Sequence, residues 1–247
     1  MNLIIDIGNT ACKLAIYDQN TLIDSDIADS NPLAAAAAIS RLRGIHDIKN
    51  CIVSSVAMQY DEISAALEGI AGMVLTLDAD TKIPIANLYS TPRTLGNDRL
   101  AAAVGATVLF PGCNCLIIDA GTAITYDYVR DGREYLGGNI SPGILLRFKA
   151  LHQYTSRLPL ITDPQPTDTF GLSTTEAISN GVVTGVIHEI EGYISQFEKK
   201  NVNSRIIFTG GGSIYLSKKL KITIFAEPNL VTIGLNRILN YNVLKEN

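Results

Sequence analysis

The chain repeats its own opening. The run Leu3-Ile4-Ile5-Asp6-Ile7-Gly8 returns as Leu116-Ile117-Ile118-Asp119-Ala120-Gly121, changed at one position and displaced by close to half of the 247 residues. A repeat of that period predicts two copies of one supersecondary unit. Each copy is an apolar run of strand type that ends in aspartate, turns at glycine and continues into a second alternating run, which reads as a β-hairpin with a carboxylate at its tip. Taken alone, either Asp-x-Gly is an ordinary turn, in which Asp caps its own loop and Gly supplies positive φ. The duplication adds a second meaning. A turn that gathers backbone N–H groups beside an acid suits the phosphates and the metal of a magnesium–nucleotide complex, and two facing copies could hold one nucleotide in the cleft between them.

Length agrees with two domains, expected at 1–112 and 113–247. With 47% hydrophobic and 18% charged residues, the chain can bury a large core and is not disordered. A net charge of −4 offers no broad field for nucleic acid or an anionic membrane, so neither is expected as a partner and any phosphate site is local. Asp6 interrupts the first apolar run and no basic leader precedes it, which argues against a signal peptide. No apolar run approaches the ~18 residues of a membrane span, and a cytoplasmic location is expected. Cys12, Cys51, Cys113 and Cys115 fall in or beside strand-like runs, and Cys113-Asn114-Cys115 lacks the spacing of zinc or redox pairs. They read as reduced structural thiols.

Alternation predicts strands at 2–8, 12–17 and 21–27, joined by the Gly8 turn and by Asp18-Gln19-Asn20. Asn31-Pro32 opens a helix that should run through the alanines to Arg43 and stop at Gly44. A strand at 48–56, a helix at 61–67 and a strand at 73–77 complete a βββαβαβ order, followed by a loop from Asp78 to Thr94 and a helix at 100–110. The second half repeats the meander at 115–120, 123–129 and 134–140. Helices are then expected at 142–157 and 174–199, a strand at 205–209, a short helix after Gly212, a strand at 222–226 and a final helix from about Asn229. Pro159, Pro164 and Pro166 mark 159–170 as a mobile surface loop. Three strands followed by alternating helix and strand, present twice, resemble the α/β plan of paired ribonuclease H-like domains in actin, Hsp70 and sugar kinases. A Rossmann sheet would instead require G-x-G-x-x-G where Gly8-Asn9-Thr10-Ala11-Cys12 stands.

Three segments can touch phosphate. The first is Asp6, Gly8, Asn9, Thr10 and Lys13, in which Lys13 leaves the turn on a strand and either neutralises the anion or is a plain exposed lysine. The second is Asp119, Gly121, Thr122 and Ala123, and the third is Thr209-Gly210-Gly211-Gly212, where three glycines cost stability unless the backbone passes something closely. Elsewhere, Leu95-Gly96-Asn97-Asp98-Arg99 sets a carboxylate beside a guanidinium at a helix start. Arg99 can grip a substrate carboxylate in bidentate fashion and Asp98 can accept a hydroxyl proton. The plainer alternative is that Asn97 or Asp98 caps the helix while Arg99 is solvated.

In order along the chain stand Asp6-Ile7-Gly8-Asn9-Thr10, the Tyr89-to-Arg99 segment with Pro92, Leu95 and Gly96, Asp119-to-Asp127, Gly137-to-Gly143, Ser173-to-Ile178 and Thr209-Gly210-Gly211. This series resembles the type III pantothenate kinases over nearly the whole chain, the Tyr89-to-Arg99 segment being its most specific element. The resemblance implies ATP-dependent phosphorylation of pantothenate at its primary hydroxyl, the first step towards coenzyme A, with Mg2+ and a monovalent cation (K+ or NH4+). Carried to matching positions, it makes Asp98 the proton acceptor and sets Tyr89, Gly96, Asn97, Asp98, Arg99 and Thr174 around pantothenate. It assigns Asp6, Ile7, Gly8, Asn9, Thr10, Ala11, Cys12, Lys13 and Thr122 to ATP and Asp119 to the monovalent cation. It also implies a homodimer whose interface includes the acceptor site. The family often has Asn-Thr where this chain has Ser173-Thr174, so Thr174 and Thr175 both remain open as the contact. Two rival readings keep the fold: a phosphotransferase acting on another small hydroxylated acid or sugar, and a non-catalytic nucleotide-binding regulatory protein. The acids at 6, 98 and 119 favour catalysis, and apolar Ile178, Val182, Val186 and Ile190 at helical spacing are expected mostly in the core.

Overall fold

Alternation decides the first sheet. In β1 (Asn2–Ile7), Leu3, Ile5 and Ile7 enter one core cluster, so Asn2, Ile4 and Asp6 face the other way. β2 (Ala11–Asp18) and β3 (Thr21–Asp29) complete an antiparallel meander, and α1 (Pro32–Ile45) returns the chain to β4 (Asn50–Ser55), which pairs parallel with β1. After α2 (Ser64–Leu67), β5 (Val74–Thr76) ends a sheet of order β3-β2-β1-β4-β5. Asn31 caps α1 by accepting the Ala34 N–H at 2.9 Å, with Pro32 in the first turn as expected. Gly44 does not stop the helix. It lies inside α1, and His46, in an extended conformation, ends it by donating its N–H to the Leu42 carbonyl at 2.9 Å.

The loop from Asp78 to Thr94 holds a short strand that its composition hides, β6 (Ala86–Asn87). α3 (Asn97–Leu109) follows, then β7 (Asn114–Ala120), β8 (Ala123–Arg130) and β9 (Glu134–Pro142). α4 (Ile144–Gln153) is shorter than expected, because Pro142 ends the strand and Gly143 is the helix cap. α5 (Thr174–Lys200), β10 (Ser204–Thr209), α6 (Ser213–Ser217), β11 (Phe225–Ala226) and α7 (Leu230–Glu246) end the order. The second sheet runs β11-β10-β7-β8-β9-β6. Without the edge strand β6, its order matches that of the first sheet strand for strand. Ile178, Val182, Val186 and Ile190 of α5 are all buried, as their spacing predicts.

This computed structural model describes residues 1–55, 60–167 and 170–246. The expected end of a strand at Val56 lies outside the described residues, as does part of the 159–170 loop, whose described residues form neither helix nor strand. Packing divides the chain into one unit of Met1–Cys113, Val129–Gly137 and the segment from Asn229 onward, and another of Asn114–Tyr128 and Gly138–Pro228. The units are therefore not the contiguous halves 1–112 and 113–247. The cause is α7, which belongs with the first sheet. Asn2 donates to Asn236 at 2.9 Å and Asn240 at 2.8 Å, and Gly234 lets α7 lie directly against the Ala101 carbonyl of α3.

Candidate active site

In the first unit, register brings polar groups to the end of β1. Asp6 pairs with Lys13 on β2 and with Ser54 on β4. Their neighbours Ile5, Ile7, Cys12, Leu14 and Val53 all enter the core beneath α1, so Asp6, Lys13 and Ser54 share the opposite face. Lys13 is half-buried there, not an exposed strand lysine. Ser54 is buried, and among the described residues its hydroxyl has no hydrogen-bond partner. No motif draws attention to Ser54 in the sequence; the signal is a serine that follows the apolar run Cys51-Ile52-Val53 inside a strand. The turn itself is held by the Gly8 N–H on the Ala11 carbonyl at 3.0 Å and by Ser30 Oγ donating to the Gly8 carbonyl at 2.5 Å. Burial, reinforced by the charge of Asp6, pushes the Cys12 thiol up to about 11, consistent with an inert packing group. All four cysteines are buried.

The start of α3 lies in the same unit. Gly96 occupies the helix cap, so neither Asn97 nor Asp98 does. Asn97 donates its amide to the Leu77 carbonyl at 2.8 Å, and Asp98 Oδ1 accepts the Arg99 N–H at 2.8 Å in the first turn. Arg99 is 6% exposed, which excludes the solvated alternative. Its guanidinium stands 5.8 Å from the ring centre of Tyr89, close enough for the ring face to favour the cation. Tyr89 is fixed in turn by its N–H on Asn87 Oδ1 at 3.1 Å, by Tyr135 at 6.1 Å between ring centres, and by Gly137, whose missing side chain leaves room for the ring. The hidden strand β6 thus carries Tyr89 to Arg99. Beside them is a cavity of about 220 Å³ whose lining includes Asn87, Arg93, Leu95 and Asn97.

In the second unit, Asp119 pairs in register with buried Thr209. The β7–β8 turn closes with the Gly121 N–H on the Ala123 carbonyl at 3.0 Å, one residue tighter than its counterpart because Asn9 has no equivalent. Two other expected segments meet it. The Gly212 N–H bonds the Ala120 carbonyl at 2.8 Å, and Gly210, at φ +84°, passes so close that a side chain would collide with Asp119 Oδ1 and the Ala120 backbone. The Gly143 N–H bonds the Thr122 carbonyl at 2.9 Å. Thr174 opens α5 behind the cap Ser173, whose hydroxyl accepts the Glu176 N–H at 3.3 Å; Thr174 and Thr175 are both exposed.

Among the described residues no three His, Cys, Asp or Glu side chains gather as a metal cage. A single carboxylate at each hairpin tip fits a Mg2+ ion that keeps water and is held mainly by phosphate oxygens. No described helix is long and apolar enough to cross a membrane.

The model of the type III pantothenate kinase family matches residues 2–196. A type III pantothenate kinase of Bacteroides fragilis strain YCH46 is 44% identical over 242 residues, covering 98% of each chain. One from Porphyromonas gingivalis strain W83 is 45% identical over 246 residues, covering 98% of this chain and 99% of its own. This chain belongs to the type III pantothenate kinase family. Solved structures share the α/β fold at low identity. A Campylobacter jejuni protein described as a candidate Baf family transcriptional activator superposes with a TM-score of 0.62 at 23% identity, covering 97% of this chain and 98% of its own. A Listeria monocytogenes protein described as a candidate N-acetylmannosamine kinase does so with a TM-score of 0.54 at 15% identity, covering 100% and 99%. Within the type III pantothenate kinase chain, the Tyr89-to-Arg99 segment is therefore a connected structure and not merely a sequence signature.

Proposed function

We propose that this chain transfers the terminal phosphoryl group of ATP to the primary hydroxyl of pantothenate, the first step of coenzyme A synthesis, and that Asp98, Arg99 and Tyr89 form the acceptor site. The observation that carries the assignment is the buried Arg99 guanidinium held over Tyr89, one residue from a carboxylate at a helix start. Arg99 grips the pantothenate carboxylate and so orients the molecule. Gly96 and Asn97 shape the wall, and Thr174 contacts the same substrate. Asp98 takes the proton from the hydroxyl as its oxygen bonds to phosphorus and ADP departs, which contributes about 10² to 10⁴ in rate. Residues 6–13, with Ile7 and Cys12 through their backbone only because their side chains lie in the core, and Thr122 contact ATP, with the Lys13 ammonium offsetting charge on the transferring oxygens. Mg2+, when bound, neutralises phosphate charge beside the Asp6 turn, and Asp119 helps hold K+ or NH4+.

The same reading takes the matching strand orders of the two sheets as two ribonuclease H-like folds. It also takes the working form as a homodimer, supported by exposed Leu145, Leu146, Tyr154, Phe170 and Leu172. A coupled ADP-release assay on pantothenate, other hydroxy acids and sugars, run in K+, NH4+ and Na+, tests the assignment. Turnover with pantothenate that falls in Na+ is the expected result. Turnover with a sugar and none with pantothenate overturns it.

A further inference from the structure

One charged cluster in the second unit belongs to none of the groups assigned above. Glu189, in the middle of α5, accepts three hydrogen bonds from three other elements. Its Oε1 takes the Tyr126 hydroxyl of β8 at 2.7 Å and the Ser141 hydroxyl of β9 at 2.5 Å, and its Oε2 takes Arg147 Nη2 of α4 at 2.6 Å. Arg147 also donates to Ser141 Oγ at 3.2 Å and, through Nε, to the Pro142 carbonyl at 2.8 Å. Both ends of Ser141-Pro142 are thereby tied to one carboxylate. The next residue, Gly143, holds the Thr122 carbonyl, and it lies so near that a side chain there would strike the carbonyls of Gly121 and Thr122.

We propose that Glu189 and Arg147 are positioning residues for the nucleotide-contacting turn, fixing Gly121 and Thr122 through Ser141, Pro142 and Gly143. The inference rests on the assignment of Thr122 to ATP. The Gly143 contact transmits position because the strand end lies close against the turn carbonyls and cannot move away without breaking the bond to Thr122. A carboxylate with three donors on separate elements has no single-rotamer escape, so removing one arm releases the strand end. Arg suits this place, since its planar fork spans the carboxylate and the Pro142 carbonyl together, which a lysine cannot do.

Nucleotide affinity separates positioning from simple stabilisation. Equilibrium binding of a fluorescent N-methylanthraniloyl ADP and steady-state kinetics are measured for wild type, Glu189→Gln, Arg147→Ala and the double variant. The dissociation constant and the KM for ATP should each rise about 3- to 30-fold in either single variant, with the KM for pantothenate within about twofold. The double variant should be little worse than the weaker single one, as expected of one shared network. Arg147→Lys should recover the charge but only part of the affinity. If Glu189→Gln fails to fold, Ser141→Ala, which deletes one hydroxyl from the same path, carries the same expectation. Unchanged nucleotide binding, or equal changes in both KM values that follow lost thermal stability, overturns the proposal. The binding arm needs no turnover, so wild type that binds the ADP probe but does not phosphorylate pantothenate refutes the substrate assignment and leaves the positioning role to be judged on affinity.

Discussion

Gly210 and Gly211 are adjacent, and the structure separates their fates. At Gly210 the backbone is left-handed, with φ +84°, and an added Cβ would lie 2.8 Å from the Ala120 nitrogen and 2.9 Å from its carbonyl carbon, as well as against Asp119 Oδ1. An L-residue in that conformation costs about 1–2 kcal/mol. Overlap with a strand backbone that cannot withdraw adds about 1–3 kcal/mol. Gly210→Ala should therefore lose roughly 2–5 kcal/mol. At about 2–4 °C per kcal/mol for a chain of this size, the melting temperature should fall by at least about 4 °C. At Gly211 the added Cβ meets nothing within 4 Å and φ is not in the left-handed range. Gly211→Ala should stay within about 1 kcal/mol of wild type, and a small gain is possible because alanine restricts the unfolded chain. Urea unfolding of both variants, followed by far-UV circular dichroism, gives the comparison. ADP-induced thermal stabilisation should also shrink in Gly210→Ala, since its methyl group displaces Asp119. Equal stability of the two variants would refute the packing of the Thr209-to-Gly212 loop on the end of β7.

Asp98→Asn should lower turnover by about 10² to 10⁴ and leave melting nearly unchanged, because the amide oxygen can still accept the Arg99 N–H; coupled assay and calorimetry check the two halves. Burial alone would raise the Glu189 carboxyl, but hydrogen bonds from Ser141, Arg147 and Tyr126, with the charge of Arg147, hold it below the usual carboxylate range. Its contribution to stability is thus present above the ordinary value of 4.5 and is lost as pH falls through the lowered folded value; urea midpoints between about pH 3 and 7 should show a shallower acid limb in Glu189→Gln. Burial pushes the Cys12 and Cys51 thiols up to about 11 and about 12. Native protein should accordingly react slowly with a thiol-specific disulfide reagent at pH 8, and all four thiols should react promptly in denaturant.

What was legible in the sequence was what local chemistry decides. The Asp6 and Asp119 hairpins, the Asn31-Pro32 helix start and the Ile178-to-Ile190 stripe all rest on neighbours within a turn or a strand, and they stand in the structure as their patterns predict. Non-local choices were not legible. The helix that closes the chain reads simply as the last element of the second half. It joins the first unit because Gly234 opposite Ala101 permits backbone contact and because Asn2 finds its partners at Asn236 and Asn240. Likewise, β6 is two residues long and gains its identity only from pairing with Glu134 and Tyr135, which no pattern within Asp78 to Thr94 records.

The same division runs through the candidate site. Asp98 and Arg99 stand out by charge at a helix start, yet their sequence context favours a cap and a solvated arginine. The tertiary structure reverses that preference by giving the cap to Gly96 and the Arg99 side chain a buried place over Tyr89. A guanidinium that loses water must regain it from something. The Tyr89 ring face is one source here, and a bound carboxylate would add two hydrogen bonds in the geometry the fork prefers. Arg99→Lys tests that step more sharply than Arg99→Ala, because it keeps the charge and removes the fork: it should raise the KM for pantothenate by at least about tenfold, the cost expected of a lost charged hydrogen bond, while the KM for ATP stays near wild type. A lysine variant with an unaltered pantothenate KM would mean that charge alone suffices and that the carboxylate is not held bidentately.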